Sequence, residues 1–226
     1  MRKAAYSAST AHLKDRSSMG FARKMARGQG IVLLPTSAEL VPLCEAAVRA
    51  LPNHWGGAVD KLDVLDLLIG RVPDSAPFGK LEEIRLANVA YHDCADYAVR
   101  VVFTERRLED NWFSHWYAAQ QTAVATLHGW KEISAVSPVA YAAQEILLHG
   151  LNALSPRYDM QRLAHEETRG CLFDFCGDKR DAEVKLQTMD VCPSCRQQLV
   201  SMHVDPEFVL GLCSIIRDIA TGRKAA

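Results

Sequence analysis

A dense group of cysteines and one histidine in the last third of the chain constrains its fold most strongly. The segment 165–195 follows the pattern H-x5-C-x4-C-x15-C-x2-C, with His165, Cys171, Cys176, Cys192 and Cys195. The knuckle Cys192-Pro-Ser-Cys195 is typical of a metal site, because two thiolates three residues apart on a tight turn can face one Zn²⁺. The alternative, scattered buried cysteines in a reduced protein, explains a C-x2-C turn closed by proline poorly. The sequence therefore predicts at least one structural zinc ion.

The identity of the fourth ligand stays open at this stage. Cys171, Cys192 and Cys195 are predicted as ligands, and either His165 or Cys176 completes the tetrahedron. Cys176 is slightly favoured, because it follows Cys171 closely and would give a four-cysteine site with low demands on geometry. His165 would then be free for a second site.

Length and charge bound the domain organisation. The chain has 226 residues, 49% of them hydrophobic, which suffices for a sizeable core. We expect one domain over 29–226 after a basic arm, 1–28, in which Asp15 is the single acid. The arm is predicted to be a solvated tail, with docking on an acidic partner or on phosphates as the alternative. A formal net charge of −1 gives the whole chain no electrostatic reason to bind nucleic acid or an anionic membrane.

The remaining composition favours a cytoplasmic protein. The arm lacks a signal-peptide core, and no uncharged apolar run reaches the roughly 18 residues of a membrane span. An odd number of cysteines, seven, fits a reducing compartment. Cys44, Cys94 and Cys213 are predicted to be small core residues, because each lies in an apolar helical context.

The order of predicted elements favours an α/β fold with one mixed sheet, and α+β is the alternative. Strands are predicted at 31–34, 62–68, 99–104 and 122–126, and helices at 37–51, 80–97, 139–154 and 206–220. The aromatic residues Trp112, Phe113, Trp116 and Tyr117 fall at helical spacing and are interpreted as a core-packing stripe.

From His165 onward the chain resembles the archaemetzincins, metzincin-type zinc peptidases with the pattern H-E-x-x-H-x-x-G-x-x-H-C-x4-C-x-M followed by C-x-x-C. The match takes in Cys171, then Phe173 where the family has Met, and the knuckle at 192–195. Upstream, 98–113 is similar to the strand and loop before the active helix, and 123–126 to the edge strand that binds the substrate backbone. The resemblance spans residues 30–200 and implies a zincin-like domain with a long active-site helix and a C-terminal zinc-binding part.

The chain departs from this family where catalysis would occur. The resemblance implies two histidines four residues apart on one helix, with a glutamate between them that takes a proton from the zinc-bound water. Glu145 stands in the place of that glutamate, but Gln144 and Leu148 stand in the places of the histidines. The resemblance then implies a peptidase homologue that has lost its catalytic metal and binds a protein partner or peptide.

Two further functions remain open from the sequence. In an active zinc peptidase, a shifted ligand set would combine Glu145 and His149, four residues apart on one helical face, with His165, and Glu166 or Glu167 would act as the base. His149 alone is equally compatible with a helix-end imidazole that binds a backbone carbonyl. A zinc-dependent nucleic-acid-binding module is suggested by the basic arm and the knuckle, and the near-neutral net charge counts against it.

Overall fold

The structure is a computed structural model that describes residues 30–51, 59–62 and 77–223. The predicted arm at 1–28, nearly all of the strand predicted at 62–68 and the first part of the loop before Gly79 lie outside the described residues. Within them the fold is α/β with one mixed sheet, as predicted.

Five strands form the sheet in the order β2-β1-β3-β5-β4. Their bounds are β1 Ile31–Pro35, β2 Val59–Leu62, β3 Val99–Thr104, β4 Ser114–Tyr117 and β5 Thr122–Thr126. All neighbouring strands are parallel except β4, which runs antiparallel to β5 and forms one edge of the sheet. The predictions for β3 and β5 are confirmed to the residue, because these β-branched runs are buried on both faces.

Eight α-helices are described. Their bounds are α1 Val41–Ala50, α2 Lys80–Asp93, α3 Trp130–Ile133, α4 Pro138–Leu154, α5 Met160–Leu163, α6 Asp181–Thr188, α7 Pro193–Ser201 and α8 Pro206–Ala220. Proline in the first turn together with a capping side chain sets the start of two of them: Ser137 accepts from the Val139 N–H and Asp205 from the Glu207 N–H. Two single 3₁₀ turns, 38–40 and 118–120, precede α1 and β5.

The sheet separates two apolar layers. Ile31 and Leu33 on β1 face the larger core, which α1, α4 and α8 cover, while Val32 and Leu34 face a smaller core beneath α2. Helix α4 lies in the middle of the larger core, and every residue from Ala140 to Leu151 is buried. Because α4 is surrounded on all sides, its polar residues Gln144, Glu145 and His149 need partners inside the protein.

Two expectations about the sheet edge need correction. The helical spacing of the aromatic residues at 112–117 does not correspond to a helix, because 114–117 form strand β4, although Phe113, Trp116 and Tyr117 pack on the cores as interpreted. Pairing with β5 puts side chains alternately on two faces: Trp116 packs on the larger core and Tyr117 on the smaller one. The segment 123–126 belongs to β5, which lies inside the sheet, so the edge strand is β4.

A buried carboxylate joins this edge strand to α2. Glu83 is fully buried. Its carboxylate accepts a hydrogen bond from the Tyr117 hydroxyl (2.6 Å) and lies 2.6 Å from Nδ1 of His115. These contacts hold the α2 side of β4, so the opposite side, with Ser114 and Trp116, is presented to α4.

Replacing Glu83 should loosen the sheet edge. We expect Glu83→Gln to lower the free energy of unfolding by about 1.5–3 kcal/mol. The neutral amide oxygen accepts more weakly than the carboxylate, and the amide NH2 would take the place of the buried Oε1, which has no hydrogen-bond partner. Urea denaturation would measure the change. The double variant with Tyr117→Phe should be less destabilised than the sum of the single variants, since both weaken the same hydrogen bond.

Glu45→Gln is the matched control. Glu45 forms an exposed pair with Arg49 within α1, so its loss should change the unfolding free energy by less than about 0.5 kcal/mol. Equal effects of Glu83→Gln and Glu45→Gln would contradict the structural role of Glu83.

Candidate metal centre and the adjoining cleft

Four side chains from the C-terminal part of the chain converge on one point. The ligand atoms of His165, Cys171, Cys192 and Cys195 all lie within 4.8 Å of one another. Over the described ranges 30–51, 59–62 and 77–223, this is the one group of three or more His, Cys, Asp or Glu residues that could hold a metal ion. The sequence pattern therefore predicted the cluster, and the structure selects His165 as its fourth member.

The knuckle and a tight loop supply these ligands. Cys192 precedes the first residue of α7 and Cys195 lies in its first turn, which directs both thiols to the same side. His165 and Cys171 come from the loop between α5 and α6, where backbone hydrogen bonds from Phe175 to His165 (3.0 Å) and from Leu172 to Asp190 (2.7 Å) fix the chain. The loop is thus tied both to itself and to the segment that leads into the knuckle.

Asp174 organises the loop around the cluster. Its Oδ2 accepts the backbone N–H groups of Arg169, Gly170 and Cys171 at 2.7–2.9 Å, and its Oδ1 lies 3.0 Å from Nδ1 of His165. A histidine whose Nδ1 faces a carboxylate presents Nε2 to a metal, and Nε2 is 3.8 Å from the Cys192 thiol. The sequence pattern did not mark Asp174 as functional or buried, because its neighbour Phe175 is itself 52% exposed.

Gly170 allows the loop to pass close to α6. Its φ is +81°, and a Cβ at this position would lie 2.4 Å from the Thr188 side chain. Only glycine satisfies both conditions without displacing the backbone. The position of Cys171 therefore depends on the glycine before it.

The donor types, three thiols and one imidazole, are those that tetrahedral metal sites use, and their ligand atoms lie within 4.8 Å of one another. Bonds of about 2.3 Å to sulfur and 2.1 Å to nitrogen imply ligand separations of roughly 3.6–3.8 Å. The separation of 3.8 Å between His165 Nε2 and Cys192 Sγ agrees with this geometry. The Cys192 backbone N–H also donates to the Cys171 sulfur at 3.4 Å, a contact that favours a thiolate there.

The protonation of the thiols is uneven. Burial raises the pKa of Cys171 and Cys195. Burial also opposes ionisation of Cys192, but hydrogen bonds from the Cys195 backbone and from the neighbouring thiols outweigh it and lower the pKa of Cys192. Cys192 is therefore the thiol that ionises most readily.

Cys176, which the sequence slightly favoured as the fourth ligand, lies outside the cluster. The pairing of His165 with 173–175 brings the imidazole over Cys171, and the chain beyond Phe175 then carries Cys176 away into the wall of a neighbouring cavity. Burial raises the pKa of the Cys176 thiol. Its position indicates a packing role.

Metal content of variants should separate the two candidates. We expect one metal ion per chain after loading with a divalent metal and removal of excess. His165→Ala and Cys192→Ala should each weaken the affinity at least about ten-fold, because each removes one of four ligands.

Cys176→Ala is the matched control and should keep the full metal content in elemental mass analysis with chelator competition. Loss of the metal in Cys176→Ala together with its retention in His165→Ala would contradict the ligand assignment.

A cavity of about 300 Å³ lies next to the metal centre. Its walls are the start of β4, helix α4, and the loop segment 172–176. Gln144, Glu145 and Leu148, the three α4 residues that the sequence comparison with the archaemetzincin pattern singled out, line this cavity. The structure therefore brings these three residues to a cleft, although two of them cannot bind zinc as histidine does.

Glu145 is fully engaged with its neighbours. It accepts from Gln144 Nε2 at 3.1 Å and lies 3.2 Å from His149 Nε2. Burial opposes its ionisation, but the contact with His149, a hydrogen bond with Ser114 and the charge of Lys185 outweigh burial and lower the pKa of Glu145. Glu145 is accordingly ionised at neutral pH.

The shifted ligand set is not assembled. His149 is buried, contacts Glu145 and stacks on Trp116 with ring centroids 5.4 Å apart, whereas His165 lies in the cysteine cluster. His149 is also not at a helix end, because α4 continues to Leu154. Glu166 and Glu167, the proposed bases, are exposed and do not line the cavity.

The low pKa of Glu145 predicts an acid dependence. A carboxyl whose folded-state pKa is depressed contributes stability above its unfolded pKa and loses that contribution as the pH falls toward the folded value. We expect the difference in unfolding free energy between wild type and Glu145→Gln to shrink by up to about 1 kcal/mol between pH 6 and pH 4. Urea denaturation at both pH values measures it.

Both proteins keep the metal ligands, so acid release of a metal cancels in this difference. If the difference in unfolding free energy between wild type and Glu145→Gln instead grows toward pH 4, the Glu145 carboxyl is protonated in the folded protein and the prediction is wrong.

The function has to be argued from these residues, because no family model matches the chain and no curated protein or solved structure gives a significant match. No helix in the described part of the chain is both long and apolar enough to cross a membrane.

Proposed function

We propose that the protein is a zinc-stabilised, metzincin-like binding protein that holds an extended peptide segment in the cleft between β4 and α4 without hydrolysing it. The observation that carries this proposal is the combination in one cleft of a buried glutamate, Glu145, with Gln144 and Leu148 where the archaemetzincin resemblance requires two imidazoles. The cleft is retained while the means to bind a catalytic metal is lost.

Zinc is the metal that the cluster suits best. Three thiols and one imidazole are soft and borderline donors, and four protein ligands in tetrahedral arrangement are typical of closed structural zinc sites. A closed site leaves no coordination position for a substrate water. The zinc would accordingly hold the loop 165–176 against α7 and have no part in hydrolysis.

Helix α4 supports the loss of catalysis. The Gln144 amide donates to Glu145, and the Leu148 side chain offers no ligand atom. Glu145 also contacts His149, so the carboxylate that would take a proton from a zinc-bound water is occupied by structural partners. These contacts favour a cleft that binds over one that reacts.

The edge strand supports peptide binding. The Thr126 N–H donates to Phe113 O, and in an antiparallel ladder hydrogen-bonded pairs alternate, so the backbone groups of Ser114 and Trp116 point away from β5. No described strand pairs with β4 on that side. An extended peptide can add there as a sixth strand, the mode known as β-augmentation.

The mouth of the cleft also presents apolar surface. Phe175 is 52% exposed and contacts Trp112 with ring centroids 4.8 Å apart. An exposed phenyl ring, backed by a half-buried indole beside an open strand edge, is typical of a surface that a partner covers.

The proposal predicts one zinc per chain and no peptidase activity. Zinc-loaded protein incubated with a proteome-derived peptide mixture should leave every peptide intact by mass spectrometry. Peptides retained by the protein should slow hydrogen exchange at the Ser114 and Trp116 amides, while the His115 and Tyr117 amides, which already pair with β5, serve as internal controls.

Zinc-dependent cleavage that disappears in Glu145→Ala, or a second zinc that is lost with His149→Ala, would overturn the proposal in favour of an active peptidase. Peptide binding without protection of Ser114 and Trp116 would overturn the strand-addition mode.

A further inference from the structure

We propose that the cavity between β4 and α4 receives the ammonium group of a lysine side chain from the bound segment. This inference rests on the proposed function and specifies which peptides the cleft selects. It is carried by the acceptors on the cavity floor, the charges of its lining, its aromatic mouth and its size.

Two acceptors from α4, Gln144 Oε1 and the Glu145 carboxylate, form the floor of the cavity. Gln144 is 5% exposed, and its Oε1 is buried with no hydrogen-bond partner. The amide orientation is set by Nε2, which donates to the acceptor-only carboxylate of Glu145. A buried carbonyl oxygen without a donor is costly, so the floor favours a ligand that brings N–H groups.

The charges of the lining point the same way. Three carboxylates line the cavity, Asp110, Glu145 and Asp174, against one ammonium group, Lys185. Lys185 already donates to the Asp174 backbone carbonyl, and Asp174 itself is engaged with three N–H groups and His165. Asp110 lies 2.8 Å from Nε2 of His115, and Glu145 contacts His149 and is near Lys185. The lining nevertheless holds three carboxylates against one ammonium group, and this surplus of negative charge favours a cation.

The walls between floor and mouth suit an aliphatic stem that ends in a cation. Trp112 and Phe175 form the mouth, and Leu148 and Tyr141 lie deeper. Aromatic faces attract ammonium groups and also pack on methylene groups. The Phe113 ring already carries Lys179, whose Nζ is 4.9 Å from its centroid, so the Trp112 and Phe175 rings are the ones that a ligand meets.

Size and hydrogen-bond geometry favour lysine over other cations. A volume of about 300 Å³ accommodates one long side chain. Arginine needs a carboxylate with two free oxygens in a fork, but one Glu145 oxygen accepts from Gln144 and the other faces His149. The compact ammonium of lysine can use single acceptors such as Gln144 Oε1 and needs no fork.

Strand addition delivers such a side chain to the cavity. Ser114, which hydrogen-bonds Glu145, and Trp116, which stacks on His149, face α4. His115 and Tyr117 instead contact Glu83 of α2. Side chains of a paired strand alternate in the same way, so every second residue of the bound segment faces the cavity side.

Titration of ¹⁵N-labelled, zinc-loaded protein with blocked pentapeptides tests the inference. The probes are acetyl-Ala-Ala-X-Ala-Ala-amide with lysine, norleucine, arginine or glutamate at X, and n-butylamine against n-butanol as probes of the cavity alone. We expect the lysine peptide to bind at least about ten-fold more tightly than the norleucine peptide, and n-butylamine alone of the two small probes to shift the Gln144 side-chain amide signals.

Variants locate the effect. Gln144→Leu and Asp110→Asn should each reduce the preference for lysine over norleucine. Both variants retain Glu145, whose replacement can affect folding. Glu166→Gln is the matched control, because it removes one exposed negative charge outside the cavity and should leave the preference unchanged.

The outcomes separate the inference from the proposed function. Equal binding of lysine and norleucine peptides overturns the inference and leaves the function standing. A preference for lysine that Glu166→Gln reduces as much as Gln144→Leu also overturns it, since net charge would then explain the selection. A response to n-butylamine without binding of any peptide supports the cavity assignment and overturns the peptide-binding function.

Discussion

The Asp174 carboxylate is the contact on which the C-terminal half of the structure depends. One oxygen accepts three successive backbone N–H groups, which shapes the turn that presents Cys171, and the other faces His165, which directs that ring toward the thiols. Such a carboxylate, 4% exposed, couples loop conformation to ligand orientation. Without it, the histidine and the first cysteine would have no common geometry, and the knuckle at 192–195 would face an unformed partner.

Helix α4 carries a second constraint of the same kind. It lies in the centre of the larger core yet contains Gln144, Glu145 and His149. The Glu145 carboxylate pairs with the other two side chains, while Gln144 Oε1 and His149 Nδ1 are buried without a hydrogen-bond partner. The stacking of Trp116 on His149 extends this pairing to the edge strand. The cleft is thus held in shape by polar contacts within the protein, with no need for a metal ion at its floor.

The sequence predicted those parts of the molecule whose local pattern and burial agree. Strands β3 and β5 and helices α4 and α8 follow from β-branched runs and from prolines beside capping residues. Three ligands followed from cysteine spacing, whereas the choice between His165 and Cys176 depended on backbone pairing 165–175, which spacing does not encode. Strand β4 was missed because aromatic residues at helical spacing also suit a strand, and only pairing with β5 decides between them.

The metal cluster and the cleft are built from opposite sides of one loop. Cys171 points to the cluster, while Leu172 to Cys176 line the cavity. A metal ion and a peptide that each order the same loop are thermodynamically linked. If the ion raises the affinity for the peptide by some factor, the peptide raises the affinity for the ion by the same factor. Under the proposed function, oxidation of the thiols or removal of the ion would weaken peptide binding, and the occupancy of the cleft would then follow the supply of metal and reductant around the protein.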